Sequence, residues 1–169
     1  METVSINKDN ALKAYNSASG ELKEVLAALF GKQVISQNPM DRFKTFEDVC
    51  DAEGWIATEV LPFSNPMTPN QVHSNGAFKL ALIFEAFNKR TGDDFNELWE
   101  PDYANARQYK YYPWFEWVPS LSAFVYAYTY CTGTYTFLGA RLCTENDDYA
   151  TYIGKQFAAE WNEFLNPQI

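Results

Sequence analysis

The chain has 169 residues, enough for one domain that buries ~70% of the surface its unfolded form exposes, and no second core is expected. Its formal net charge is −9, from 13 basic and 22 acidic residues, which argues against duplex nucleic acid or an anionic membrane as the main partner, because counterion release needs a basic face. Aromatic content is high, with 11 Tyr, 13 Phe and 5 Trp, so the chain is expected to fold rather than to be disordered.

Cysteine usage and the N-terminal residues predict a cytoplasmic protein. Cys50, Cys131 and Cys143 are an odd number without Cys-x-x-Cys spacing, which is typical of free thiols in a reducing compartment. We expect all three to be buried and slow to react with thiol reagents. The sequence predicts no signal peptide, and no apolar run approaches the ~20 residues of a membrane span.

Two helices are predicted before residue 32. The first signal is short, at residues 10–15. The second is an apolar stripe with helical spacing, preceded by Ser17 or Ser19 as the N-cap and closed by Gly31. The stripe contains Leu22, Val25, Leu26, Leu29 and Phe30. Such a stripe should pack on another element.

Capping patterns predict two more helices. Thr45 and Asp48 form a weak capping box for a short helix that Gly54 stops, and residues 55–67 read as an irregular loop. The sequence 68–71 (TPNQ) is the clearest start signal, for a helix running to about Arg90 or beginning instead at residues 75–76. Its second half is apolar on nearly all sides and should be buried. A further turn or two is expected between Gly92 and Pro101.

The aromatic-rich part of the chain predicts a three-stranded antiparallel meander. Residues 121–130 alternate without Pro or Gly, so we place this strand in the centre. Residues 109–118 carry Pro113 and belong at an edge, and residues 135–143 supply the third strand. A C-terminal helix over 145–165 follows, with Thr144 and Asp147 as its capping pair. Its apolar stripe is Tyr149, Ile153, Phe157, Trp161 and Leu165.

Together these elements predict a single α+β domain over residues 1–169. Residues 1–100 are mainly helical, residues 109–143 form the sheet, and the helix over 145–165 packs on it. We expect helices on one sheet face only and no parallel strand pairing.

Three segments resemble a family of uncharacterised small proteins of gut bacteria and their phages: 109–115 (YKYYPWF), 139–143 (GARLC) and 152–157 (YIGKQF). The N-terminal helix ending in Phe30, Gly31 and Lys32 is similar to that family too. The resemblance implies a phage or prophage gene and carries no activity or site residues with it.

The sequence contains no catalytic constellation, and we expect no enzyme activity, cofactor or metal. His73 is the only histidine and has no partner fixed by spacing, so a surface or core role outweighs a catalytic one. The acidic residues of 47–53 lack the spacing and central Gly of a calcium loop, and a solvated helix face accounts for them. Phosphate-binding Gly-rich loops are absent from the sequence.

The strand alternation instead suggests a binding surface. Small or aliphatic side chains alternate with aromatic ones along 121–130, so we expect the C-terminal helix to cover the small-residue face and leave the aromatic face at least partly open. The six residues predicted on that open face are Tyr112, Trp114, Phe124, Tyr126, Tyr128 and Tyr130. On this interpretation Tyr126→Ala and Tyr128→Ala both weaken binding at little cost in stability, whereas core filling is the competing interpretation.

Two classes of function fit such a face. The first is a non-catalytic protein-interaction protein, in the phage setting an accessory factor that binds a host or virion protein. The alternative is a small module that stacks single-stranded nucleic acid or carbohydrate on the aromatic rings, with Arg107, Lys110 and Arg141 nearby.

Overall fold

The structure, a computed structural model, describes residues 8–31, 35–36, 38–89, 98–136 and 141–168. In chain order its elements are α1 (Lys8–Ser17), α2 (Gly20–Phe30), α3 (Pro39–Arg42), α4 (Phe46–Glu53), α5 (Pro69–Asn88), β1 (Lys110–Val118), β2 (Ala123–Thr132), α6 (Asp147–Gln156) and α7 (Ala158–Leu165). This mixture of helices and one antiparallel pair of strands confirms the α+β class. Of the turn predicted between Gly92 and Pro101, residues 92–97 lie outside the described part of the chain, and residues 98–100 are not helical.

Local capping chemistry begins α4 and α5 where the sequence predicts. Thr45 Oγ1 accepts from the Asp48 backbone N–H at 3.2 Å, and the Asp48 carboxylate accepts from the Thr45 N–H at 3.1 Å. The same exchange joins Thr68 and Gln71, at 3.3 and 3.1 Å. The long helix therefore starts at Pro69 rather than at residues 75–76.

The second half of α5 forms the centre of the core, as its apolar composition predicts. Phe84 and Phe87 are each 1% exposed, and their rings make edge contacts with Trp161 at 6.0 Å and Phe157 at 6.2 Å. Helices α4, α6 and α7 all contact α5. The core therefore lies between α5 and the C-terminal helices.

The C-terminal helix is divided in two. Phe157, with φ −101° and ψ 40°, leaves the helical conformation between α6 and α7. The N-cap is Asn146, whose Oδ1 accepts from the Tyr149 N–H at 2.8 Å, rather than Thr144. Beyond the break, the Asn162 side-chain amide pairs with the main chain of Phe124 in β2, at 2.8 and 2.9 Å. The prediction of one continuous helix over 145–165 is wrong.

The sheet of the described residues has two strands, β1 and β2, and the third strand predicted over 135–143 is not confirmed. Residues 137–140 lie outside the described part of the chain. The Tyr111 N–H and C=O bond to Thr144 at 3.0 and 3.1 Å, on the side of β1 away from β2. Thus β1, predicted at the edge, has neighbours on both sides at this point, and β2, predicted central, is an edge strand here.

The same bonds explain how β1 accommodates Pro113. Because backbone groups alternate in direction along a strand, Pro113 shares the outward direction of Tyr111. Its missing N–H therefore costs no hydrogen bond to β2.

A β-bulge at Ala127 overturns the predicted single aromatic face. Trp114 pairs with Tyr128 and the next residue, Phe115, pairs with Tyr126, so Ala127 has no partner in β1. One extra residue reverses which face the following side chains occupy. Tyr128 and Tyr130 therefore lie on the face opposite Tyr126.

The C-terminal helices cover the face that carries Phe124 and Tyr126, not the small-residue face. The Tyr126 hydroxyl is 3.1 Å from Thr151 Oγ1 of α6, and the Phe115 ring lies 4.6 Å from Trp161 of α7. On the face predicted to be covered, Val125 is 39% exposed. The prediction that helices cover one face, with antiparallel pairing only, is confirmed for the described residues, and the choice of face is wrong.

The apolar stripe of α2 lacks the packing expected of it. Leu22, Val25 and Leu29 are 58%, 52% and 70% exposed, and only Leu26 and Phe30 are half-buried. Helical periodicity correctly predicts the helix here but not what covers it.

Within the described residues, no helix is long and apolar enough to cross a membrane.

Candidate functional site

Three aromatic side chains form an exposed surface on the sheet face opposite α6 and α7, which we call the open aromatic face: Trp114, Tyr128 and Tyr130. The Trp114 and Tyr128 rings stack at 6.1 Å with 20° between their planes, and Trp114 lies 6.4 Å from Tyr130. Their exposures are 36%, 50% and 44%. Trp and Tyr present large apolar area at low entropic cost, which is why they dominate binding surfaces.

The other three residues predicted for this surface are not part of its exposed area. Tyr112 is on the same face, opposite Tyr130, but it is 1% exposed. Phe124 and Tyr126 lie beneath the C-terminal helices because of the bulge. The prediction that both Tyr126→Ala and Tyr128→Ala cost little stability therefore applies to Tyr128, which is 50% exposed, and not to Tyr126, which packs against α6.

Tyr112 belongs to a buried polar cluster. Its hydroxyl donates to the Tyr135 carbonyl at 3.2 Å and lies 2.8 Å from the Tyr103 hydroxyl, which is 4.0 Å from Cys143 Sγ. Burial raises the pKa of Tyr112, and burial raises the pKa of Cys143 to about 11. A thiol that stays protonated at neutral pH is a poor nucleophile. The hydroxyl contact joins Tyr103, in the loop over 98–109, to Tyr112 in β1 and so anchors that loop on the sheet.

Lys110 is fully buried, and its ammonium group donates to main-chain carbonyls. The acceptors are Asn105 at 3.3 Å, Gln108 at 2.7 Å, Gly133 at 2.8 Å, and Asp102. The ammonium thereby holds the loop before β1 against the end of β2. Because its protons are engaged inside the protein, Lys110 is not available to bind a phosphate.

Two further polar candidates, His73 and Arg141, also have partners of their own. His73 Nδ1 lies 2.7 Å from the Phe164 carbonyl oxygen and its ring stacks on Phe164 at 4.8 Å, which joins α5 to α7. Arg141 lies 3.9 Å from Glu100. Among the residues that the structure describes, no group of three or more His, Cys, Asp or Glu side chains could hold a metal ion.

Sequence reasoning missed two further members of the open face and one aromatic residue on the other side. Glu116 and Val125 pair with each other on the same face as Trp114, and both are exposed. Trp117 is 42% exposed but lies on the opposite face, 5.3 Å from Phe124. No sequence signal marks Ala127 as the bulge. The bulge decides which sheet face carries each side chain after Ala127, relative to the side chains before it.

Comparison of the chain with protein-family models, with curated proteins and with solved structures finds no match. The candidate site therefore stands on its own geometry.

The thiols provide a first test of these placements. Cys131 is exposed, against the expectation that all three are buried, whereas Cys50 and Cys143 are 0% exposed. We expect one thiol per native chain to react rapidly with a chromogenic disulfide reagent and two to react only on unfolding. Cys131→Ser should remove the rapid phase. Rapid labelling of Cys50 or Cys143 in the native wild type would contradict the structure.

Proposed function

We propose that the protein is a non-catalytic protein-binding protein and that the open aromatic face is its contact surface. The observation that carries the proposal is the stacked Trp114 and Tyr128 pair, exposed beside Tyr130 on a sheet face that α6 and α7 leave uncovered. Exposed aromatic clusters of this kind are typical of interaction sites.

Charge favours a protein partner over single-stranded nucleic acid. The alternative interpretation relied on Arg107, Lys110 and Arg141, but Lys110 is buried with its ammonium on carbonyls, and Arg141 lies beside Glu100. Glu116 is exposed on the aromatic face itself. The chain carries −9 overall, which opposes a polyanion.

The resemblance to proteins of gut bacteria and their phages suggests the setting. We propose a phage or prophage accessory factor that acts in the host cytoplasm on a host or virion protein. The free thiols of all three cysteines support a reducing compartment.

A pair of tryptophan variants tests the surface. Trp114→Ala and Trp117→Ala remove the same side chain from the same strand at similar exposure, 36% and 42%, but on opposite faces. We expect the wild-type protein and Trp117→Ala to capture the same protein from a gut-bacterial or phage-infected lysate, with mass spectrometry as the readout. We expect Trp114→Ala to bind that protein roughly 30-fold more weakly, as for a hot-spot residue of ~2 kcal/mol.

Equal binding by both variants, or equal loss, would contradict the assignment to this face. Retention of wild type on immobilised glycans or on single-stranded DNA, abolished by Trp114→Ala and not by Trp117→Ala, would instead support the alternative ligand class. Thermal unfolding of each variant checks that loss of binding is not loss of fold.

A further inference from the structure

The outer edge of β2 carries main-chain groups that point away from β1. Phe124 marks this edge, because its N–H and C=O bond to the side chain of Asn162 rather than to β1. At the other end, Cys131 pairs with Tyr111, whose own N–H and C=O point outward to Thr144. In an antiparallel ladder both members of such a pair direct their main-chain groups outward.

The main-chain groups of Thr129 also point outward, because Thr129 pairs with Pro113, two residues further along β1 than Tyr111. Among the described residues, no hydrogen bond engages the main-chain N–H or C=O of Thr129 or Cys131 on this edge. An unpaired edge of this kind is a template for another strand. The Asn162 amide already uses the edge in that way at Phe124, since a side-chain amide offers the same donor and acceptor as a peptide group.

The composition of β2 lacks the usual protection against strand addition. Its ten residues include no charged residue, no Pro and no Gly, in a chain whose net charge is −9. Proteins that keep an exposed edge from pairing place Lys or Pro on it, or bend it with a bulge. The bulge at Ala127 lies before Tyr128, so residues 128–132 remain regular.

We propose that a second copy of this chain pairs with β2 along this edge, joining two sheets into one four-stranded antiparallel sheet. In the two-fold arrangement Thr129 of each copy lies opposite Cys131 of the other, and each such pair exchanges two hydrogen bonds. Tyr130 then faces Tyr130 of the second copy across the axis.

This pairing places the two open aromatic faces side by side. A two-fold axis perpendicular to the sheet keeps the same face of each copy on the same side, and neighbouring strands are ~4.8 Å apart. Tyr128 and Tyr130 of one copy then adjoin those of the other, so the dimer presents one continuous aromatic surface. The dimer itself rests on main-chain geometry and does not depend on the binding role proposed above.

Three variants at one position test the pairing. Cys131→Pro removes an outward N–H and is suited to the strand, as Pro113 is at an outward position in β1. Cys131→Lys places a charge on the edge, and Cys131→Ser keeps the main chain intact. Sedimentation equilibrium under reducing conditions, at roughly 5 to 500 µM, measures the mass against the 19.4 kDa of one chain.

We expect wild type and Cys131→Ser to approach twice the chain mass as concentration rises. The dimer dissociation constant of Cys131→Pro should be ~100-fold higher, because the two symmetry-related copies each lose one hydrogen bond. Added salt should strengthen the wild-type dimer, since it screens the repulsion between two acidic chains. Amide hydrogen exchange at residues 129 and 131 should slow with concentration in the wild type.

A wild-type protein that stays monomeric over this range would overturn the proposal, as would dimers of Cys131→Pro and Cys131→Lys as tight as wild type. Leu29→Glu tests whether a dimer forms instead through the exposed apolar stripe of α2. A dimer that is lost in Leu29→Glu and kept in Cys131→Lys would also overturn the proposal. Circular dichroism confirms the fold of each variant, and Cys131→Lys stands in if the proline variant unfolds.

Discussion

Gly154→Ala should lower the free energy of unfolding by ~3 kcal/mol, although alanine is the better helix former by ~1 kcal/mol. A Cβ atom on Gly154 would lie 2.4 Å from Cδ2 of Tyr126 and 2.7 Å from Cβ of Pro113. These atoms belong to both strands of the sheet, so α6 would have to move away from the whole sheet. Urea unfolding with linear extrapolation measures the change.

Lys155→Ala is the matched control on the same helix. Lys155 is exposed, and its ammonium lies 5.2 Å from the Tyr126 ring centroid, a contact of less than about 1 kcal/mol at an exposed site. A Gly154→Ala protein as stable as the wild type, or more stable, would show that α6 does not approach the sheet at this distance.

Lys110→Met should cost ~3–5 kcal/mol, the range for removing one partner of a buried charged interaction. Methionine fills a similar volume but leaves the carbonyls of Asp102, Asn105, Gln108 and Gly133 without their donor. A carbonyl that is shielded from water and left unpaired adds a desolvation cost. Urea unfolding again gives the global change.

Limited trypsin digestion reports the local effect of the same substitution. The ammonium of Lys110 holds the loop over 98–109, so its loss should accelerate cleavage after Arg107, which is exposed in that loop. Lys13→Met, on the exposed surface of α1, should leave both stability and this cleavage unchanged. Lys110→Met with wild-type stability would contradict the buried position of the ammonium.

The segments that suggested a family resemblance lie at these contacts. Lys110, Tyr112 and Pro113 belong to the first segment, Cys143 to the second, and Gly154 to the third. Pro113 meets Gly154 directly, and Tyr112 reaches Cys143 through Tyr103. These residues therefore hold α6, the sheet and the loop over 98–109 together. Of the three residues of the open aromatic face, only Trp114 lies in one of these segments.

The sequence by itself determined the elements whose signals are local. Capping at Thr45 and Thr68, the stop at Gly54 and the alternation of 121–130 each depend on residues a few positions apart, and the structure contains the corresponding helices and strand. The buried second half of α5 belongs with them, because an all-round apolar helix has no other stable position.

Only the tertiary structure decided which strand faces are covered and which residues form the site. The bulge at Ala127 leaves the alternating pattern intact, so nothing in the sequence shows that Tyr126 and Tyr128 lie on opposite faces. Gly154 lets α6 pack on aromatic rather than small side chains, a choice that depends on residues distant in the chain. The sequence alone presents Lys110 as a surface cation. Its burial depends on the fold, because three of its carbonyl acceptors come from the loop before β1 and the fourth comes from Gly133 at the end of β2.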